Sequence, residues 1–157
     1  QEVILRTVVK KEELENYVGK ETGVSDWFLI DQERINTFAD VTEDHQFIHV
    51  DIAAAAKTPF GTTIAHGFLT LSLVSYLAAN AIVGVEGTVM GINYGCDKVR
   101  FLTPVKVNSK IRARVVLSEV TEKPGNRILM KNTITIEIEG ETHPALIVEW
   151  LILAVLG

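Results

Sequence analysis

The sequence has few of the residues that mark disulfide-stabilised or nucleic-acid-binding proteins. Its single cysteine, Cys96, cannot form an internal disulfide, so no oxidising compartment is required and we expect a cytoplasmic location. Lysine and arginine number 15 against 20 aspartate and glutamate residues, and they are spread along the chain. Binding to DNA or RNA needs a basic stripe that neutralises phosphates. The composition therefore argues against a nucleic-acid partner.

Long, purely apolar segments are also missing. Residues 67–85 carry no formal charge and reach the length of a membrane-spanning helix. Polar side chains interrupt this stretch at Thr70, Ser72, Ser75, Tyr76 and Asn80. Burying each of them in lipid without a partner costs roughly 2–7 kcal/mol, so we expect a buried helix rather than membrane insertion. Residues 1–11 lack a basic start followed by an apolar core, and no secretion signal is expected.

The composition that remains is typical of a globular protein, with 47% hydrophobic and 22% charged residues. A domain of 157 residues buries roughly two thirds of the surface that its unfolded chain exposes. No internal repeat, low-complexity tract or proline-rich linker divides the sequence. We therefore expect a single domain over residues 1–157.

The first part of the sequence favours short helices separated by a loop. Asp31 is a suitable N-cap for a helix that runs through Phe38 and ends before Asp44. Asp51 can cap a second short helix through the alanine run at residues 53–56. The chain between these two helices is predicted to be a loop.

The second part combines one apolar helix with alternating strands. Apolar side chains surround almost the whole helical circumference from residue 67 to about 81, which predicts a helix buried on most sides. Period-two alternation at residues 111–115 and 134–138 predicts antiparallel strands, with a hairpin turn at 123–126. The run 146–153 is predicted to close the sheet. The sequence therefore predicts an α+β fold in which a curled antiparallel sheet wraps around a long central helix.

The segment from Asp44 to Asp51 concentrates two carboxylates and two imidazoles within eight residues. Hydration of a double bond next to a carbonyl needs a base, an acid and a donor that stabilises the enolate oxygen. Asp44 and His49 can fill the first two roles by holding one water between them. Gly67, at the first turn of the predicted central helix, can fill the third through an unpaired backbone N–H.

These segments resemble a known family. Residues 44–49 are similar to the motif Asp-x-Asn-Pro-[Leu/Ile]-His of MaoC-like and (R)-specific enoyl-CoA hydratases. Residues 66–75 resemble the block that follows in that family, a His-Gly pair leading into a helix rich in leucine and serine. The segments 93–95 and 98–101 are similar to the branch that includes nodulation protein N-like dehydratases. The resemblance covers most of the chain from about Asp31 onward.

The resemblance implies a hot dog fold, a homodimer with paired sheets, and syn hydration of trans-2-enoyl-CoA to (3R)-hydroxyacyl-CoA. It implies no separate cofactor, because coenzyme A is part of the substrate. Asp44 and His49 carry over as the water-activating pair, and Gly67 carries over as the oxyanion amide. Ser75 carries over as a polar group of the helix close to that pair.

Two residues depart from the family motif, since Gln46-Phe47 stands where Asn-Pro is usual. Gln46 keeps the donor and acceptor of an amide but is one methylene longer, so we expect a supporting role in orienting water or substrate. Phe47 loses the fixed backbone angle of proline and adds an aromatic wall, which predicts a shifted substrate range.

Other polar residues have simpler interpretations. His45 stands four residues before His49, but no HExxH pattern accompanies them, and no metal site is expected. His66 is interpreted as structural, and Ser75 can equally satisfy a helix carbonyl four residues earlier. Lys98 and Arg100 are candidates for the coenzyme A phosphates, or simply part of a solvated strand face.

Two alternative functions stay open at this point. A hot dog acyl-CoA thioesterase could use the same helix-start amide to polarise the same carbonyl. A non-catalytic acyl-CoA-binding subunit could keep the fold without the chemistry, and the altered Gln46-Phe47 is the feature that suggests it. The Asp44/His49 pair favours hydration over both.

Overall fold

The computed structural model describes residues 6–157. In chain order the described elements are β1 (Val8–Val9), a 3-10 helix (Lys11–Tyr17), β2 (Glu21–Val24), β3 (Phe28–Ile30), α1 (Gln32–Thr42), α2 (Phe47–Val50), α3 (Ile52–Ala55), α4 (Gly67–Ala78), β4 (Gly84–Val85), β5 (Thr88–Phe101), β6 (Ser109–Lys123), β7 (Arg127–Ile138) and β8 (Leu146–Leu156). Residues 1–5 lie outside the described part. They belong to the segment 1–11, in which no secretion signal was expected.

A six-stranded antiparallel sheet is the main feature of the fold. Five strands follow the order β2-β6-β7-β8-β5, and β3 pairs with β6 beside β2. The short strands β1 and β4 form a separate parallel pair. The predicted α+β class and the antiparallel strands around residues 111–115, 134–138 and 146–153 are confirmed.

The β6–β7 hairpin shows why these segments form strands. Every second residue of β7 is buried, among them Ile134 and Ile136, and the residues between them are partly exposed. The predicted turn at 123–126 is present, with Gly125 and Asn126 in the left-handed region at φ of 83° and 56°. Glycine and asparagine adopt that region most readily, so the turn chemistry and the alternation set the same register.

Helix α4 lies against β6 and β7 and fills the hollow of the sheet. Leu69, Val74 and Leu77 are buried there, and burial contributes roughly 1.5–3 kcal/mol for each such side chain. The prediction of a helix buried on most sides is wrong, because Phe68 and Tyr76 are 66% and 67% exposed. The sheet of one chain covers only one side of α4. No helix within residues 6–157 has the length and apolar character to cross a membrane.

The helices before α4 shape the chain around residue 44. The Asp31 side chain accepts a hydrogen bond from Arg34 N, and Asp51 caps α3 in the same way, as predicted. Helix α1 ends at Thr42, after which Glu43 adopts a left-handed conformation with φ of 62°. This conformation ends the helix at that point. The predicted loop that follows contains one extra turn of helix, α2, because its residues fold back onto the segment before α4.

Candidate active site

The turn of helix α2 carries His49 into the interior, where the residue is 6% exposed. Its backbone is held from two sides. Ile64 N donates to Ile48 O, and the Gln32 side chain donates to His49 O at 2.7 Å. The buried Thr63 hydroxyl in turn donates to the Gln32 side chain. Gln32 and Thr63 were not predicted, because residues this far apart in the sequence carry no local signal of their contact.

The imidazole of His49 has a defined tautomer. Its Nδ1 lies 2.7 Å from Ile64 O, and because a carbonyl oxygen can only accept, Nδ1 carries the hydrogen and Nε2 carries the lone pair. Burial of the ring lowers the pKa of His49 below its ordinary value of about 6.5, although the hydrogen bond to Ile64 acts in the opposite direction. A neutral imidazole of this kind can accept a proton.

Asp44 and His49 are brought together, as the sequence predicted. One carboxylate oxygen of Asp44 and one nitrogen each of His49 and His66 lie within 4.8 Å of one another. A single water that makes hydrogen bonds of about 2.8 Å can bridge two groups at this separation. The Asp44 side chain is exposed and also lies 3.4 Å from Gln46 N. The geometry therefore suits a shared water, whereas the catalytic roles of the pair stay a prediction.

His66 is the third member of this cluster. It is 2% exposed, its Nε2 donates to Asp44 O at 2.9 Å, and its ring stacks on His49 at 3.8 Å. The structural role expected for it is compatible with these contacts. Its proximity to both members of the pair was missed because Asp44 precedes it by 22 residues.

Two imidazoles and a carboxylate also have the composition of a small metal site, but their orientation suits ligation poorly. A histidine binds a metal through a lone pair that lies in the plane of its ring. The rings of His49 and His66 are stacked with only 23° between their planes, so their lone pairs do not converge. His45 points elsewhere and pairs with Asp40 at 2.9 Å on the surface. The expectation of no metal site stays a prediction.

Gly67 begins α4, and its N–H has no hydrogen-bond acceptor within the described residues. A free amide at the start of a twelve-residue helix also benefits from the positive end of the helix dipole. A Cβ at position 67 would lie 2.9 Å from Phe101 Cδ1, so a larger residue here would force the ring or the helix start to move. The amide is therefore free to donate a hydrogen bond, whereas its role as the oxyanion donor stays a prediction.

An apolar cavity of about 230 Å³ opens beside this amide, and we call it the Gly67 cavity. Its walls come from the start of α4, the end of β5 with the loop that follows it, and the start of β8. The lining residues are Ile64, Ala65, Gly67, Thr70, Phe101, Leu102, Thr103, Pro104, Val105, Ala145 and Leu146. The cavity can hold a small apolar group next to the amide.

Two further predicted site residues, Gln46 and Ser75, lie outside the cluster of Asp44, His49 and His66. Gln46 is exposed at the N-cap of α2, and it reaches Asp44 through its backbone N–H. Ser75 is exposed on α4, eight residues or about 12 Å of helix beyond Gly67. No hydrogen bond in residues 6–157 joins Ser75 to Asp44 or His49. The site roles of Gln46 and Ser75 therefore stay predictions.

The polar residues of β5 lie on the sheet edge. Lys98 Nζ is 3.8 Å from a Glu149 carboxylate oxygen, and Arg100 donates to Val99 O. Their suggested contact with coenzyme A phosphates stays a prediction. Cys96 is exposed, and desolvation followed by the charge of Asp97 raises the pKa of its thiol, which lowers its thiolate fraction.

Comparison with known proteins identifies the family. A model of the MaoC-like domain matches residues 13–139. The chain belongs to this family. The MaoC-like chain is 47% identical over 135 residues to nodulation protein N of Rhizobium leguminosarum bv. viciae, covering 85% of this chain and 84% of that protein. It is 43% identical over 148 residues to 3-hydroxyacyl-thioester dehydratase Z of Mycobacterium tuberculosis, covering 94% of this chain and 97% of that protein. The resemblance stated from the motifs is confirmed.

Solved structures confirm the hot dog fold of this MaoC-like protein. The (R)-hydratase from Aeromonas caviae involved in PHA biosynthesis matches it with a TM-score of 0.71 and 26% identity, over 89% of this chain and 96% of that one. The family and these relatives support hydratase or dehydratase activity for the chain.

Proposed function

We propose that this MaoC-like protein is an (R)-specific enoyl-CoA hydratase, which adds water to trans-2-enoyl-CoA and gives (3R)-hydroxyacyl-CoA. The reverse reaction is the dehydration. The observation that carries the proposal is the placement of Asp44 and the buried His49 within 4.8 Å of one another, in the segment that packs against the start of α4. The similarity to a 3-hydroxyacyl-thioester dehydratase and to an (R)-hydratase supports the same activity.

The reaction needs a proton to leave water and a proton to reach the α carbon. The Nε2 lone pair of His49 accepts the proton of a water that Asp44 also holds, while the water oxygen bonds to the β carbon. The electron pair of the double bond moves towards the thioester carbonyl, whose oxygen accepts a hydrogen bond from Gly67 N–H. His49 then returns its proton to the α carbon. Oxygen and proton come from one side, which supports syn addition.

The acyl group occupies the Gly67 cavity in this proposal. The cavity volume of about 230 Å³ is below the roughly 300–1,000 Å³ of pockets for drug-sized ligands, which favours a short acyl chain. Coenzyme A enters as part of the substrate, and no separate cofactor takes part in the reaction.

The homodimer forms through β5 in this proposal. This strand is the 14-residue edge of the sheet, with one side unpaired in the single chain. Val89, Met90, Ile92 and Tyr94 on it are 43–63% exposed, an unusual set of apolar side chains for a free edge. A second copy can extend the sheet along this edge and cover them.

Light scattering tests the dimer. We expect twice the chain mass for the wild type and a monomer for Ile92→Lys, because a charged side chain in the middle of the edge strand opposes pairing with a second strand. Val41→Lys is the control, since Val41 is 74% exposed on α1 and away from β5. A monomeric wild type would contradict the assembly.

The activity test is incubation with crotonyl-CoA and longer trans-2-enoyl-CoAs, followed by loss of the conjugated enoyl absorbance. An enantiomer-specific dehydrogenase identifies the product. Asp44→Asn and His49→Ala should each lower kcat by about 10²-fold or more while the protein stays folded. Release of free thiol would instead indicate a thioesterase, and saturable binding without turnover a non-catalytic subunit. Wild-type rates in either variant would refute the mechanism.

A further inference from the structure

His66 makes two contacts that lead to different parts of the site. The Nε2–H of the buried ring donates to Asp44 O at 2.9 Å, which fixes the main chain that carries the carboxylate. The face of the same ring lies on His49, with the centroids 3.8 Å apart. Phe38 packs against His66 at 4.9 Å. One side chain therefore touches the loop of the carboxylate and the ring of the base.

The backbone of His66 adjoins the third group of the proposed site, the Gly67 amide. His66 is the N-cap of α4, and its carbonyl accepts hydrogen bonds from Leu69 N and Thr70 N. The next amide along the chain is that of Gly67. A displacement of His66 would therefore move the amide donor together with Asp44 and His49.

The remaining nitrogen of His66 argues against a role in packing alone. Nδ1 is buried and has no hydrogen-bond partner within the described residues. An unpaired buried nitrogen is unfavourable, and a phenylalanine would fill the same space without one. What histidine adds at this position is the Nε2–H donated to Asp44 together with a flat polar face against His49.

We propose that His66 is a positioning residue that holds the Asp44 main chain and the His49 ring in one arrangement. The inference rests on the proposed hydration, because the arrangement matters for a water shared by these two groups. A positive charge on His66 would also oppose protonation of His49, and this effect contributes to the lowered pKa of His49.

Three variants separate the two contacts. His66→Gln keeps an N–H donor that can reach Asp44 O but loses the ring, His66→Phe keeps the ring but loses the donor, and His66→Ala loses both. We expect kcat for crotonyl-CoA to fall at least tenfold in His66→Ala, with KM changed less than threefold. We expect kcat to be at least threefold higher in His66→Gln and in His66→Phe than in His66→Ala. His143→Gln, in an exposed turn, is the matched control and should behave like the wild type.

The pH dependence distinguishes positioning from a purely structural role. In His66→Phe the ring of His49 stays covered but loses the electrostatic contribution of the second imidazole, which lowers the pKa of His49, so the acidic limb of kcat/KM should move to higher pH. If His66 had only a structural role, His66→Phe would lower the amount of folded protein, measured by circular dichroism. The acidic limb of kcat/KM would then stay at the wild-type pH. Wild-type kcat in folded His66→Ala would overturn the inference. Equal kcat loss in all three variants with an unchanged limb would overturn it as well.

A second readout does not depend on turnover. The pKa of His49, followed by NMR of its imidazole, should rise in His66→Phe relative to the wild type. If the wild-type protein hydrates no enoyl-CoA, the proposed function fails, and this titration still tests the contact between the two rings. An unchanged His49 titration would then overturn the positioning role.

Discussion

Replacing Gly67 with alanine adds one methyl group where α4 begins and leaves the N–H in place. The new Cβ would lie 2.9 Å from Phe101 Cδ1, 3.0 Å from Cε1 and 3.2 Å from Cγ, so the ring or the helix start must move. Phe101 is 49% exposed and can yield towards solvent. We therefore expect a small effect on the free energy of unfolding, below about 1 kcal/mol, because alanine also has the better helix propensity.

Activity should respond much more strongly than stability. Removal of an oxyanion donor costs about 10²–10³-fold in kcat in well-studied enzymes. The alanine variant keeps the donor but displaces it or the ring beside it, so we expect a loss of about 10- to 100-fold in kcat. The assay is hydration of crotonyl-CoA, with thermal unfolding measured on the same samples.

A double variant shows whether the contact with Phe101 is the cause. Gly67→Ala combined with Phe101→Ala removes the ring that the methyl group meets, and kcat should recover at least fivefold over the single alanine variant. Phe101→Ala alone is the matched control. Wild-type kcat in Gly67→Ala would refute the reasoning about the amide. A loss that persists in the double variant would refute the role of Phe101.

Three other predictions concern pH, specificity and stability. Because the base must be unprotonated and burial lowers the pKa of His49, the acidic limb of kcat/KM should lie below about pH 6.5, which a pH-rate profile checks. Phe101→Ala should enlarge the Gly67 cavity and raise kcat/KM for hexenoyl-CoA relative to crotonyl-CoA by about tenfold or more, measured in competition. Ile134→Ala should lower the free energy of unfolding by about 2–5 kcal/mol in urea titration, because Ile134 is fully buried in β7, whereas Thr135→Ala beside it should cost much less.

Features with a local cause could be predicted from the sequence. The cap at Asp31 and the alternation in β6 and β7 depend on neighbouring residues, and both agree with the structure. The approach of Asp44 to His49 was predictable for the same reason, since only four residues separate them. Strand β5 was not delimited, because most of its residues are exposed on both faces and give no alternation.

Contacts between distant segments explain the rest. His66 lies 22 residues after Asp44, and its stacking on His49 results from the way α4 begins beside α2. The bond from Gln32 to His49 O likewise joins residues 17 apart. The exposure of Phe68 on α4 was missed because the apolar pattern does not reveal which side of a helix the sheet covers.

Gln32 joins three separate segments of the chain beside the proposed site. It is the first residue of α1, it donates to the carbonyl of His49, and its own oxygen accepts from Thr63 just before α4. A movement of α1 relative to α4 would have to break this bridge and release His49. Unfolding of α1 would remove the side chain that holds the His49 main chain, so we expect activity to be lost when α1 unfolds, even while the sheet stays folded.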